Sequence, residues 1–308
     1  MDRVYEEDVL NAGKNQVIIS NGDTKVIVIP ELGGRIADVQ SGEIKFLHRT
    51  YPKGVNFGPY TEYGGIEECM GSAPGTLWNA EWKWEQKANG VLLQTLSRGI
   101  LVRKFVSLDE KEPIIRVDYS FFNLGDAFSR FTFGIHPEIC IGESLKGNRY
   151  YVPARGELIV GGDMEPGFKS DILPSEGWCA VTYSDKVFGQ MFPDGAIDAV
   201  RIYYPRVNTH VVLEPVIFNV GVSPDRYAGF TYMMYMGDGD AEKIREIRAA
   251  REAEFRTKYE PFDKAEIPES VVSELSELAR AGAGDVFVAE PVLPKMPEIR
   301  IPDVDAIV

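Results

Sequence analysis

Short apolar segments separated by turn residues fill most of the chain, from about residue 16 to about residue 236. From Ile114 to Phe122, apolar and polar residues alternate with the two-residue period of a strand that buries one face. Two further segments, Gln16–Ser20 and Lys25–Ile29, flank Asn21-Gly22-Asp23, a sequence typical of a hairpin turn. The pattern therefore predicts a succession of short strands.

These strands follow one another without intervening helices, which favours antiparallel sheets over a βαβ architecture. A large sandwich of two sheets is the natural way to bury both inner faces. The prediction is thus a mostly β protein. The other predicted strands span residues 81–85, 91–96, 100–106, 131–135, 158–160, 179–183, 199–204, 210–213 and 230–235.

The pattern changes near Asp238, and the sequence predicts residues 1–237 as a β domain and residues 238–308 as an extension packed on it. Asp240 is a typical cap for a helix that continues to about Tyr259, and a second helix begins after Pro268 and runs towards Gly282. Residues 286–308 contain four prolines and predict an extended arm on the body or on a partner subunit, as in a homodimer. A partly disordered tail is the equally weighted alternative.

Composition restricts the class of partner. The 308 residues include 47 acidic and 33 basic residues, a formal net charge of −14, which disfavours nucleic acid and anionic membranes. The acidic N-terminus lacks the apolar segment of a secretion signal, and no run approaches the roughly 20 apolar residues of a membrane span. We therefore expect a cytoplasmic protein. Cys69, Cys140 and Cys179 are expected to be free thiols, because their number and spacing fit neither a disulfide framework nor a zinc site.

Two early segments carry candidate chemistry. Gly33 and Gly34 form a tight turn that aims Arg35 at a defined place, although a plain surface arginine is an equally good explanation. The segment Glu62–Gly71 crowds three carboxylates around a Gly-Gly turn, which is explained by a cation, a sugar hydroxyl or, more commonly, simple solvation. Trp78, Trp82 and Trp84 follow. Their flat faces could stack on a pyranose, but tryptophan is more often a core residue.

Two later segments place a titratable group where its role needs an explanation. His136 stands at the end of an aromatic strand and before Pro137, a position suited to facing a cleft, although a lone histidine is usually structural. Glu214 interrupts an apolar stretch, and a buried carboxylate costs several kcal/mol unless it is paired. Such a carboxylate is often functional.

Five segments carry a resemblance to a known family: Pro30–Ile36, Val102–Asp109, Ile114–Asp126, Phe133–Pro137 and Leu213–Pro215. In this order they resemble the galactose mutarotase-like (aldose 1-epimerase) superfamily. The resemblance covers about residues 15 to 236 and implies an antiparallel β-supersandwich with a sugar-binding cleft across one sheet. Each matching piece is short, so their order is more specific than any one of them.

The resemblance implies an isomerase of carbohydrate metabolism in which His136 is the acid and Glu214 the base of sugar ring opening. A histidine, with an ordinary pKa of about 6.5, can donate near neutrality, and an ionised glutamate can accept. The expected partner is a small-molecule carbohydrate, and no cofactor and no metal are expected. The remaining candidate substrate-binding residues are Arg35, Tyr63, Glu67, Glu68, Trp78 and Arg103.

One departure bears on the substrate. Family mutarotases often carry a histidine directly before the second Gly-Gly, where this chain has Tyr63. Two other functions therefore stay open at this point. The first is a non-catalytic carbohydrate-binding protein on the same fold, and the second is another carbohydrate enzyme, such as a lyase or hydrolase.

Overall fold

The structure is a computed structural model that describes residues 5–8, 14–50, 53–57, 60–71 and 75–282. The predicted arm, residues 286–308, lies outside them. The strands are β1 (Tyr5–Asp8), β2 (Lys14–Asn21), β3 (Thr24–Ile29), β4 (Arg35–Ser41), β5 (Ile44–Lys45), β6 (Val55–Phe57), β7 (Tyr60–Glu62), β8 (Ile66–Met70), β9 (Lys83–Lys87), β10 (Gly90–Ser97), β11 (Ile100–Leu108), β12 (Ile114–Asn123), β13 (Ser129–Ile139), β14 (Arg149–Ala154), β15 (Glu157–Gly162), β16 (Lys169–Ile172), β17 (Trp178–Tyr183), β18 (Lys186–Met191), β19 (Ala199–Tyr203), β20 (Val211–Val222), β21 (Arg226–Asp238) and β22 (Thr257–Pro261). The α-helices are α1 (Ala241–Ala250) and α2 (Glu269–Gly282).

Within the described residues, two ten-stranded antiparallel sheets pack face to face. In the first sheet the order is β1-β2-β3-β4-β8-β13-β20-β19-β16, with β5 beside β4. In the second the order is β15-β14-β17-β18-β21-β12-β11-β10-β9, with β22 beside β21. The predicted mostly β antiparallel architecture is confirmed.

The main core lies between the inner faces of the two sheets. Alternate residues of each strand point into it, such as Ile135 and Leu213 from the first sheet and Val117 and Tyr232 from the second. Fully burying a large apolar side chain contributes about 1.5–3 kcal/mol, so the two sheets hold each other. The outer face of the first sheet is left for other contacts.

The two helices cover the outer face of the second sheet. Asp240 caps α1 by accepting a hydrogen bond from the Lys243 N–H, and Ile244 and Ile247 pack on β17 and β18. In α2, Leu275 packs against Leu101. No helix in the described part of the chain combines the length and apolarity needed to cross a membrane.

The prediction of a helix as far as Tyr259 was wrong. The helix ends at Ala250, and residues 257–261 form β22 instead. The reason lies in β21, whose C-terminal half pairs with β18 whereas the same edge of its N-terminal half, Arg226–Phe230, is covered by β22. Pairing this edge satisfies backbone groups that would otherwise be open to other chains.

Candidate functional site

A row of charged side chains crosses the outer face of the first sheet. The strand register places Glu67 opposite His136, Arg201 opposite Glu214 and Asp171 opposite Arg201. Between these pairs, the match of Gly134 with Val216 and of Glu138 with Val212 places His136 opposite Glu214. Directly opposite residues share a face of the sheet. The resulting charge row consists of Arg35, Glu67, His136, Glu214, Arg201 and Asp171.

His136 and Glu214 stand at the centre of the charge row. His136 Nδ1 lies 3.5 Å from Glu214 Oε2, and the two side chains are 14% and 4% exposed. Next to them the sheet carries two small residues, Cys69 and Gly134, which are paired with each other. A Cβ atom on Gly134 would collide with the Glu214 carboxylate, so glycine is needed for this arrangement. The structure therefore brings together the acid and the base predicted from the sequence.

Arg201 and Asp171 extend the row, and the sequence analysis missed both. Arg201 binds Asp171 through two parallel hydrogen bonds of 3.0 and 3.2 Å. Its Nη1 also lies 3.7 Å from Glu214 Oε2, so the guanidinium balances the charge of that carboxylate. The signal that could have revealed Arg201 is that it is the single charged residue of the predicted strand 199–204. In the structure this strand lies directly beside the strand of Glu214.

Arg35 has a different role from the one expected. Its side chain is fully buried, which leaves no N–H group for a sugar hydroxyl. It is therefore a positioning residue, because it fixes Glu67 and the loops over the site. The acceptors of its hydrogen bonds are the carbonyl oxygens of Leu32, Gly64 and Trp78, the side-chain oxygen of Asn79 and the Glu67 carboxylate.

Trp78 and Tyr63 come from loops that lie over the row. The Trp78 ring packs 5.1 Å from the His136 ring at an interplanar angle of 60°. Trp78 is almost fully buried, so it is a wall behind His136 more than an open stacking platform. The Arg35 guanidinium lies 5.3 Å from the centre of the Tyr63 ring. Both residues lie beside the row, and their contact with a substrate stays a prediction.

Glu68 and Arg103 are not at this site. Successive side chains of a strand point to opposite faces, so Glu68 points into the core when its neighbour Glu67 points outward. There Glu68 accepts hydrogen bonds from Lys104 and Tyr119. Arg103 lies on the outer face of the second sheet, where it donates to Gln94 and packs on the Phe122 ring. Their predicted contact with substrate does not agree with these positions.

Three carboxylates crowd together at the Arg35 end of the row. Burial raises the pKa of Glu67 well above its usual range; Arg35 opposes this rise, and Glu62 and Glu138 add to it. Burial acts on Glu62 in the same direction, but hydrogen bonds from Glu67 and from the Gly64 N–H lower its pKa overall. Burial and Glu62 raise the pKa of Glu138. Burial thus favours the protonated forms of Glu67 and Glu138, whereas Glu62 keeps its ionised form beside Arg35.

All three histidines of the chain gather here, although they are far apart in sequence. The His48 and His210 rings stack 4.9 Å apart, and Glu138 lies between them and His136. Burial lowers the pKa of His210 well below its usual range, and His48 and His136 lower it further. Burial also lowers the pKa of His48, against the effect of Glu62. The residues that could hold a metal ion include His48, Glu138 and His210.

No protein-family model matches the chain, and no curated protein matches it. Solved structures do match. A protein from Synechocystis sp. PCC 6803 is 14% identical with a TM-score of 0.60 over 76% of this chain and 100% of its own. A galactose mutarotase related enzyme from Lactobacillus acidophilus is 13% identical with a TM-score of 0.57 over 73% and 98%.

A galactose mutarotase-like protein from Lactobacillus casei is also similar, at 11% identity and a TM-score of 0.58 over 72% of this chain and 100% of its own. At such identities the similarity concerns the fold. The predicted supersandwich of the galactose mutarotase-like type is confirmed.

Proposed function

We propose that this chain, which has the galactose mutarotase-like fold, is an isomerase that interconverts the anomers of a sugar. The observation that carries the proposal is the 3.5 Å contact between His136 Nδ1 and Glu214 Oε2 on an outer sheet face. A histidine and a glutamate at this distance form an acid and a base that can act on one reacting centre. Neither His136 nor Glu214 is exposed widely, which suits a small substrate.

The spacing fits the chemistry of anomer exchange. Protonated His136 gives a proton to the ring oxygen as the bond from that oxygen to the anomeric carbon breaks. Ionised Glu214 takes the proton of the anomeric hydroxyl, whose oxygen becomes the carbonyl oxygen of the open chain. Both oxygens are bonded to the same carbon, so neighbouring groups on one side of the ring can reach them. Ring closure on the other face reverses both transfers, and no net proton is consumed.

The surroundings favour a neutral or cationic sugar over a sugar phosphate. Arg201 is already paired with Asp171 and near Glu214, so its positive charge is balanced. Glu62, whose pKa is lowered, adds negative potential nearby, which would repel a phosphate group. A hydrolase is less well supported, because such enzymes usually use two carboxylates and the pair here is a histidine and a glutamate.

The test is NMR exchange spectroscopy between anomers for a panel of neutral, amino and phosphorylated sugars. We expect acceleration for at least one neutral or amino sugar, and a loss of about 10²–10⁴-fold in Glu214→Gln, since an acid or base typically contributes that much. Glu85→Gln is the matched control, because Glu85 is an exposed residue of the second sheet that pairs with Lys87. Sugar binding that survives in Glu214→Gln without any wild-type turnover would indicate a binding protein instead.

A further inference from the structure

A second constellation lies beside the catalytic pair and is built from His48, Glu138 and His210. One ligand atom of each residue lies within 4.8 Å of the other two. His210 Nδ1 is 3.4 Å from Glu138 Oε2, and these side chains are 6% and 2% exposed. Two imidazoles and a carboxylate at this spacing can converge on a single ion with little movement.

The backbone holds these residues in place. The His48 N–H donates to the Glu138 carbonyl at 2.8 Å, and the Glu138 N–H donates to the Gly65 carbonyl at 2.8 Å. The Gly65 N–H in turn donates to the His48 carbonyl at 2.9 Å. His210 directly precedes β20, which is paired with β13. The backbone therefore sets where the three side chains start, and small side-chain rotations bring their ligand atoms together.

A second observation favours a cation at this place. Glu138 Oε2 is buried and, within the described residues, accepts no hydrogen bond, although His210 Nδ1 lies 3.4 Å from it. A buried carboxylate oxygen without a donor is costly.

The donor set selects the class of ion. Hard cations such as Ca²⁺ and Mg²⁺ prefer oxygen ligands alone, whereas two imidazoles and one carboxylate suit zinc or ferrous iron. Three protein ligands also leave one position for water. A cavity of 540 Å³, lined by His48, Thr209 and Asp38 among others, reaches the His48 side of this site.

We infer that His48, Glu138 and His210 bind one divalent transition-metal ion next to the proposed catalytic pair. The site is distinct from the acid and base of the isomerase. Testing for this site does not require sugar turnover, because metal binding can be measured directly.

The test uses the full chain, stripped with a chelator and titrated with Zn²⁺ by isothermal calorimetry, with bound zinc counted by elemental analysis. We expect one ion per chain. Binding should weaken by roughly 100-fold in His210→Gln and in Glu138→Gln, each of which removes a ligand. His48→Gln serves as a second ligand variant at the less buried histidine, and circular dichroism checks that every variant is folded.

His136→Gln is the discriminating control. Two other groupings could hold an ion, Cys69 with His136 and Glu214, and Glu67 with His136 and Glu138, and both need His136. Zinc binding that persists in His136→Gln supports the inference, and binding lost in that variant overturns it. Wild-type protein that binds no zinc at micromolar concentration also overturns it, as does wild-type affinity in folded His48→Gln and His210→Gln. Visible absorption of a Co²⁺ complex reports the ligand set in the unmodified chain.

Discussion

At Gly134, a hydrogen in place of a side chain leaves room for the carboxylate of Glu214 on the neighbouring strand. The backbone of Gly134 is that of an ordinary strand, so another residue could adopt it. Only the space limits the choice. A substitution at Gly134 therefore changes the site while leaving the fold intact.

We expect Gly134→Ala to lower the rate of anomer exchange by about 10²-fold, because the new methyl group pushes the Glu214 carboxylate out of its position beside His136. Stability should change little, since the group displaced is the flexible end of a side chain. Exchange rate and thermal midpoint are measured together. Gly221→Ala, on the same sheet but against the Phe128 ring, is the control and should keep its activity. Full activity in Gly134→Ala would contradict the assigned position of Glu214.

Sequence reasoning located His136 and Glu214 but could not assign the directions of their neighbours. Ile66, Cys69 and Met70 are apolar and buried on both faces of β8, so this strand shows no alternation that tells Glu67 from Glu68. Whether a carboxylate points inward or outward is decided by its partners. Lys104 attracts Glu68 into the core and Arg35 attracts Glu67 to the site, and both partners are distant in sequence.

At the scale of elements, α1 is held to the second sheet by a fit between Ile244 and Gly189. A Cβ atom on Gly189 of β18 would overlap the Ile244 side chain, which is fully buried. The N-terminal cap and the start of this helix were predictable from Asp240 and the apolar spacing. Its end was not, because the free edge of β21 decides where the strand β22 begins.

We expect Gly189→Ala to destabilise the protein by about 1–3 kcal/mol, the usual cost of overpacking a filled core. Urea unfolding gives the free energy. In the double variant with Ile244→Ala, the space left by Ile244 accepts the methyl group, so the combined loss should be smaller than the sum. Strict additivity would show that the two residues do not share this contact.

Across the whole molecule, one polar pair joins the two sheets through the core. Lys104 Nζ donates to Glu68 Oε1 at 2.6 Å, and both side chains are fully buried. Tyr119 donates to the same oxygen at 2.7 Å. Such a pair contributes little when intact, but removing one partner leaves a charge in a medium that cannot solvate it.

We expect Lys104→Met to reduce the free energy of unfolding by about 3–5 kcal/mol. Adding Glu68→Gln should restore much of this loss, because the isolated charge is then removed. Denaturant unfolding of the single and double variants measures both effects. Lys87→Met, in an exposed pair with Glu85, should change stability by less than about 1 kcal/mol. A small effect of Lys104→Met would contradict the cost assigned to leaving one partner of this pair alone in the core.

The charge row runs across the strands, so one residue from each of six strands must meet its neighbour. A shift of one strand by a single residue would turn its charged side chain towards the interior and bring an apolar one outward. A chain with misaligned strands would then lose the proposed acid, the proposed base or the arginine beside them. The activity recovered after denaturation and refolding would therefore report whether the strands have returned to their native register. The amount of β structure alone does not report this, because misaligned strands are still strands.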